Sequence, residues 1–159
     1  MLYRTKSCDR PAFKQLLPLL LILIISDNTV HAAVLEGHIM EVHSGDRVTL
    51  RLADGASREI KLSGIRIPAA NKRMHRIATR HLRMLLAGRF VRVEYTTLSP
   101  SGVILGTVLH GGADIALRML NDGLAVTERD PEQSSRQRRY REAEATARSR
   151  GLGFWQKLR

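Results

Sequence analysis

A short turn near the start of the chain contains residue types that hydrolases use. His43, Ser44 and Asp46 supply the histidine, serine and aspartate of a catalytic triad. Triad members converge from separate segments of a fold, whereas these three are near neighbours, so we interpret His43 as a turn residue. The histidines also lack the i, i+4 spacing with an accompanying acid that a helical zinc site needs, and cysteines do not assist. We therefore expect neither a triad nor a structural zinc site.

A long stretch in the middle of the chain is basic and contains no acid. Between Lys61 and Arg92 there are nine Lys or Arg residues and no Asp or Glu. A field of one sign attracts polyanions such as nucleic acid, anionic lipid head groups or an acidic protein. The alternative is a solvated helix face that keeps the protein soluble. The cations are Lys61, Arg66, Lys72, Arg73, Arg76, Arg80, Arg83, Arg89 and Arg92.

Aromatic residues give little support to base recognition. Tyr95, Tyr140 and Trp155 are too few and too scattered to indicate a base-stacking platform, although Tyr95 is a candidate for one such contact. We expect Trp155 to pack in the core.

Several short motifs follow one another in a fixed order. They are Val42–Asp46, Lys61–Ala69, Ser101–Val103, Asn121–Ala125 and Gly151–Trp155. In order and spacing they resemble the staphylococcal nuclease (thermonuclease) family, from about Glu36 to Gln156. Any one of these motifs is weak evidence for the family by itself, and the resemblance rests on their combination.

The resemblance implies where a metal site would be. Enzymes of this family hold one calcium ion with two aspartates and a backbone carbonyl. The corresponding metal positions here are Asp46, Arg66 and Ile67, so one carboxylate remains and an arginine replaces the other. A cation near a dication is strongly unfavourable, because unit charges about 4 Å apart interact by ~4 kcal/mol at an effective dielectric constant of 20. We expect no intact metal site.

The catalytic positions implied by the resemblance are also altered. The glutamate that activates the attacking water corresponds to Ala69, and the two arginines that stabilise charge on phosphorus correspond to Lys61 and Val103. Lys61 keeps its charge but lacks the planar fork of arginine. Loss of the water activator alone removes typically ~10²- to 10⁴-fold in rate. The resemblance thus implies a hydrolase fold without its chemistry.

The beginning of the chain has the pattern of a secretory signal peptide. Basic residues from Arg4 to Lys14 precede the apolar run Leu16–Ile25, and Val30–Ala32 follows as a cleavage site. The alternative, a transmembrane anchor, needs ~20 apolar residues, and this run is shorter and contains Pro18. We expect residues 1–32 to be removed, leaving an exported domain of residues 33–159 in the periplasm or the extracellular space.

The remaining sequence predicts an α+β fold. Alternating apolar residues and turn residues predict strands over residues 34–42, 47–53, 57–65, 90–96 and 103–109. Helical spacing predicts helices over residues 71–87, after Asp114, and over residues 132–150. Five antiparallel strands with three helices fit an OB-type β-barrel, and the resemblance implies the same architecture.

These observations predict an exported thermonuclease-like domain that is catalytically inactive. We expect it to bind a polyanion such as nucleic acid, or an acidic partner protein, through the barrel face and the first helix, and to need no cofactor. One alternative is a divergent metal-dependent phosphodiesterase, with calcium, that uses Asp46, Lys61 and an acid not yet placed. Another is a protein–protein module of the cell envelope. The predicted polyanion contacts are Lys61, Arg66, Lys72, Arg73, Arg76, Arg80 and Arg83.

Overall fold

The computed structural model of this protein describes residues 33–69, 71–99, 101–128 and 134–156. The predicted signal peptide lies outside the described residues. In chain order the elements are β1 (Ala33–Val42), β2 (Arg47–Leu52), β3 (Ser57–Leu62), β4 (Ile65–Arg66), α1 (Lys72–Leu86), β5 (Phe90–Leu98), β6 (Ile104–His110), β7 (Ala113–Asp114), α2 (Ile115–Asn121), β8 (Val126–Thr127), α3 (Ser134–Ser149) and a 3₁₀ turn (Gly153–Trp155). No helix within the described ranges is both long enough and apolar enough to cross a membrane.

Five strands close into a barrel, as the sequence predicted. Their order is β3-β2-β1-β5-β6, and β6 returns to pair with β3. The other neighbouring pairs are antiparallel, but the closing pair is parallel, with Ile60 beside Ile104. Alternation along each strand showed that strands form, whereas the direction of the closing pair depends on the long connection through α1 and β5. The barrel and three helices confirm the predicted fold class.

The barrel interior holds the apolar core, and α1 packs against it. Each strand sends alternate side chains inward, because successive residues of a strand face opposite sides. Ala78, Leu82 and Leu86 form the buried stripe of α1. Ile77, another apolar residue of α1, is 38% exposed. The inward-facing barrel residues include Ile39, Val48, Leu50, Ile60, Leu62, Val93, Ile104 and Val108.

The third strand ends earlier than predicted, at Leu62. Gly64 has φ of +72°, a conformation that favours glycine, and a Cβ there would lie 2.8 Å from the ring of Tyr140. The chain therefore turns beneath α3 and leaves the barrel. Ile65 and Arg66 then pair with Thr127 and Val126 in a separate two-stranded ribbon. This turn places Arg66 outside the barrel wall.

Candidate functional site

The loop between β1 and β2 lies at one end of the barrel, against α1. A Cβ on buried Gly45 would lie 2.9 Å from Cβ of Ala78 and 3.0 Å from Cδ1 of Ile67. The backbone carbonyl of Asp46 accepts a hydrogen bond from the Leu62 N–H at 2.8 Å. The structure thus brings Asp46, the end of β3 that carries Lys61, and Ile67 to the same end of the barrel.

The side chains at the metal positions do not fit a calcium ion. Oδ1 of Asp46 accepts a hydrogen bond from the Ser44 hydroxyl at 2.6 Å. The Arg66 side chain is exposed, and it forms no hydrogen bond or ion pair with a described residue. A hard dication needs several convergent oxygen ligands, and among residues 33–69, 71–99, 101–128 and 134–156 no group of three His, Cys, Asp or Glu can supply them. One carboxylate and one arginine do not form that donor set.

Lys61 is held by an acid that the sequence did not indicate. Its Nζ lies 2.8 Å from Oε2 of Glu128, and both side chains are partly buried. The backbone fixes Glu128, because its N–H donates to the Gly64 carbonyl at 2.8 Å and its carbonyl accepts from Nε2 of Gln137 at 2.9 Å. Lys61 was predicted as a polyanion contact, but in the free protein a carboxylate already neutralises it.

The other two catalytic positions offer no charged group. Val103 closes a turn in which its N–H donates to the Ser99 hydroxyl at 3.0 Å and its carbonyl accepts from the Ser99 N–H at 2.9 Å. Ile104, the next residue, pairs with Ile60 in the parallel pair, so Val103 lies level with Glu59 of β3. Ala69 is exposed, just after Pro68. Neither side chain can polarise a phosphate or activate a water molecule.

The cations of α1 lie on one side of the helix. At 3.6 residues per turn the five of them fall within an arc of about 100° that does not overlap the buried stripe. All are exposed, and none forms an ion pair with a residue that the structure describes. Among their side chains only that of Arg83 donates a hydrogen bond to a described residue, from Nη2 to the Val42 carbonyl at 3.2 Å. The five are Lys72, Arg73, Arg76, Arg80 and Arg83.

The first turn of α1 is electrostatically unusual. Asn71 caps the helix by accepting the Met74 N–H at 3.1 Å, but the first turn has no acid and begins with Lys72 and Arg73. The positive end of the helix dipole disfavours cations there by about 0.3–1 kcal/mol each. The same helix end attracts anions through its free N–H groups. An anion bound there would relieve the repulsion.

Cations of α3 that face the barrel are used differently. Nη2 of Arg136 lies 3.4 Å from Oε2 of Glu94, and its Nε lies 3.9 Å from Oδ2 of Asp114. The Tyr140 hydroxyl donates to the same Asp114 oxygen at 2.7 Å, and burial together with this carboxylate raises the pKa of Tyr140 far above its usual value. Arg148 stacks on the Trp155 ring at 4.1 Å. These side chains hold α3 in place.

Comparison with known proteins gives one family. A family model described as staphylococcal nuclease homologue matches residues 59–157. The match begins in β3, and so covers Lys61, Arg66, Ala69 and Val103 but not Asp46. No curated protein matches the chain.

Proposed function

Because the chain belongs to the staphylococcal nuclease homologue family, we propose that it uses the nuclease fold to bind nucleic acid without cleaving it. The observation that carries this proposal is the side of α1 with five exposed cations, none of which forms an ion pair with a described residue. Two of them, Lys72 and Arg73, oppose the helix dipole at the first turn. Binding a phosphate backbone gives the five cations of α1 a function.

The altered site supports binding without hydrolysis. Phosphodiester cleavage on this fold needs a metal and a positioned water. Asp46 alone is a poor ligand set for calcium, and Arg66 brings a positive charge where a second carboxylate would be needed. Ala69 cannot take a proton from water. The same arginine that disfavours a metal is favourable toward a phosphate group.

The proposed contact surface consists of the α1 cations and Arg66. Lys61 is left out, since Glu128 holds it at 2.8 Å. A surface of this size neutralises roughly 4 to 6 phosphates, which gives a log–log salt slope of roughly −3 to −4 for a single strand. Affinity should depend little on base sequence, because phosphate contacts position a ligand without specifying it.

Fluorescence anisotropy of a labelled oligonucleotide at several salt concentrations tests the binding. We expect the fourfold Arg→Gln variant at positions 73, 76, 80 and 83 to weaken binding and flatten the salt slope. A matched control changes four other exposed arginines to glutamine, three in α3 at positions 138, 139 and 141 and Arg150 just after it, and removes the same net charge. No binding at ~50 mM salt, or equal effects of the two variants, would contradict the proposal.

Two further measurements test the absence of cleavage and the export of the domain. The purified domain should not cleave DNA or RNA with millimolar calcium at neutral to alkaline pH, and cleavage that disappears in Asp46→Ala would overturn the inactive assignment.

We also propose that the domain is exported after removal of residues 1–32. Intact-mass measurement of the exported protein should give Ala33 as its first residue, and retention of Leu16–Ile25 in a membrane fraction would show an anchor instead.

A further inference from the structure

An aromatic pair lies on the outer surface of the barrel, away from the altered nuclease site. Phe90 at the start of β5 is 53% exposed, and it lies directly opposite exposed His38 of β1. The two ring centroids are 5.3 Å apart with an interplanar angle of 70°. Phenylalanine usually contributes to folding by being buried, so a half-exposed ring in the barrel wall adds little to the core.

The pair is held in place from several sides. Nδ1 of His38 lies 3.3 Å from the Gly88 carbonyl, and Nδ1 of His110 lies 3.0 Å from the Phe90 carbonyl. The Gly88 N–H donates to the Ile39 carbonyl at 2.9 Å, and the Ile39 N–H donates to the Arg89 carbonyl at 2.9 Å. The connection from α1 to β5 is therefore fastened to β1. A ligand ring placed on Phe90 would meet a surface that is already ordered.

The charges around the pair suit a phosphate backbone. Arg89 is exposed next to Phe90 and has no ion pair within the described part of the chain. The acid nearest along β1, Glu36, is neutralised by Nε of Arg92 at 2.8 Å. The pair follows the C-terminal end of α1, and a helix of 15 residues is about 22 Å long. A strand bound along the α1 cations would reach the aromatic pair through Arg89.

We propose that His38 and Phe90 form a base-stacking site for single-stranded nucleic acid whose phosphate backbone follows α1. This inference rests on the proposed function. Stacking on aromatic side chains accepts any base, but the faces of the bases are free only in a single strand, since in a duplex they stack on one another. The pair therefore adds a preference for single strands to a surface that otherwise attracts phosphates alone.

Three ligands with the same number of phosphates test the inference: a single-stranded oligonucleotide, its abasic counterpart and a short duplex. The wild-type protein should bind the single strand about 5-fold or more tightly than the abasic strand, as expected for one stacked base. Phe90→Leu keeps an apolar side chain but removes the ring, so it should lose that difference and retain the salt slope. Phe90→Trp, which replaces one ring by another, should keep the difference in affinity between the single strand and the abasic strand. Met40→Leu, at an equally exposed apolar position of β1, is the matched control and should leave all three affinities unchanged.

The outcomes separate this inference from the proposed function. Equal affinity of the wild-type protein for the single strand and the abasic strand, with a slope that still depends on the α1 arginines, would overturn the stacking site alone. Absence of binding to all three ligands would overturn both. If Phe90→Leu weakened all three ligands equally or lowered the melting temperature, Phe90 would be a structural residue and the inference would be wrong.

Discussion

Reversing one charge at the start of α1 should raise stability and lower affinity together. Arg73 is the second residue of the helix, is exposed, and has no ion pair with any described residue. Glutamate has nearly the same helix propensity as arginine, so Arg73→Glu changes mainly the electrostatics. Removing the unfavourable cation and adding a favourable anion each contribute about 0.3–1 kcal/mol at this end of the dipole. The expected gain is about 0.6–2 kcal/mol in the free energy of unfolding.

Thermal and chemical unfolding measure this gain. For a domain of this size about 1 kcal/mol corresponds to roughly 4 °C, so the melting temperature should rise by roughly 2 to 8 °C. The same variant should bind an oligonucleotide more weakly, with the salt slope smaller in magnitude by about 0.7 to 1. The melting temperature and the affinity should both be measured at low ionic strength, because salt screens the charge interactions behind each change.

Arg83→Glu is the matched control, with the same change in net charge. Arg83 lies in the last turn of α1, where the dipole favours a cation, and it donates to the Val42 carbonyl at 3.2 Å. Its reversal should weaken binding as Arg73→Glu does but lower the melting temperature. If both variants changed stability in the same direction, the dipole argument would be refuted. If neither changed affinity, the cations of α1 would be a solvated face.

Two further predictions follow from the contacts of the barrel. Glu128→Gln releases Lys61, so affinity for a single strand should rise about 1.5- to 5-fold. The free energy of unfolding should fall by about 0.2–1 kcal/mol, the range measured for ion pairs near the protein surface. Glu36→Gln, which breaks the 2.8 Å pair with Arg92, should raise affinity less, and an equal rise would show a net-charge effect only. Tyr140→Phe removes a hydrogen bond to Asp114, so the free energy of unfolding should fall by about 1.5–3 kcal/mol. Because the folded state raises the pKa of Tyr140, wild-type stability should be complete below about pH 10, the usual tyrosine value, and decline above it, and an unchanged alkaline decline in Tyr140→Phe would contradict this assignment.

The fold could be predicted largely because its signals are local. Alternating apolar residues marked the five barrel strands, and Gly88 after the helical spacing marked the end of α1. The early end of β3 could not be foreseen, because Gly64 turns beneath Tyr140, which is far away in sequence. The parallel closing pair also depends on distant segments, with Ile60 beside Ile104.

The candidate site likewise combines residues that the sequence motifs indicate with residues that only the fold brings together. The family motifs indicated that Asp46, Lys61 and Ile67 belong to one site, and the barrel brings them to one end. No spacing in the sequence connects Lys61 with Glu128, which follows a two-residue strand and is placed by the Gly64 carbonyl. The pairing of Phe90 with His38 could not be foreseen, because it depends on the register of β5 against β1.

The residues that position the candidate site and those at its metal and catalytic positions obey different physical constraints. A side chain at Gly45 would meet Ala78 and Ile67 at about 3 Å, and one at Gly64 would meet Tyr140 at 2.8 Å, so either change displaces a packed element. Arg66 and Ala69 are exposed, and substitutions at exposed positions usually change stability by less than about 0.5 kcal/mol. The fold can therefore lose its metal ligands without losing its shape. The cations at the first turn of α1 differ from both groups, because they oppose the helix dipole and fill no space in the core. Stability does not account for them, whereas the proposed binding of a phosphate backbone would.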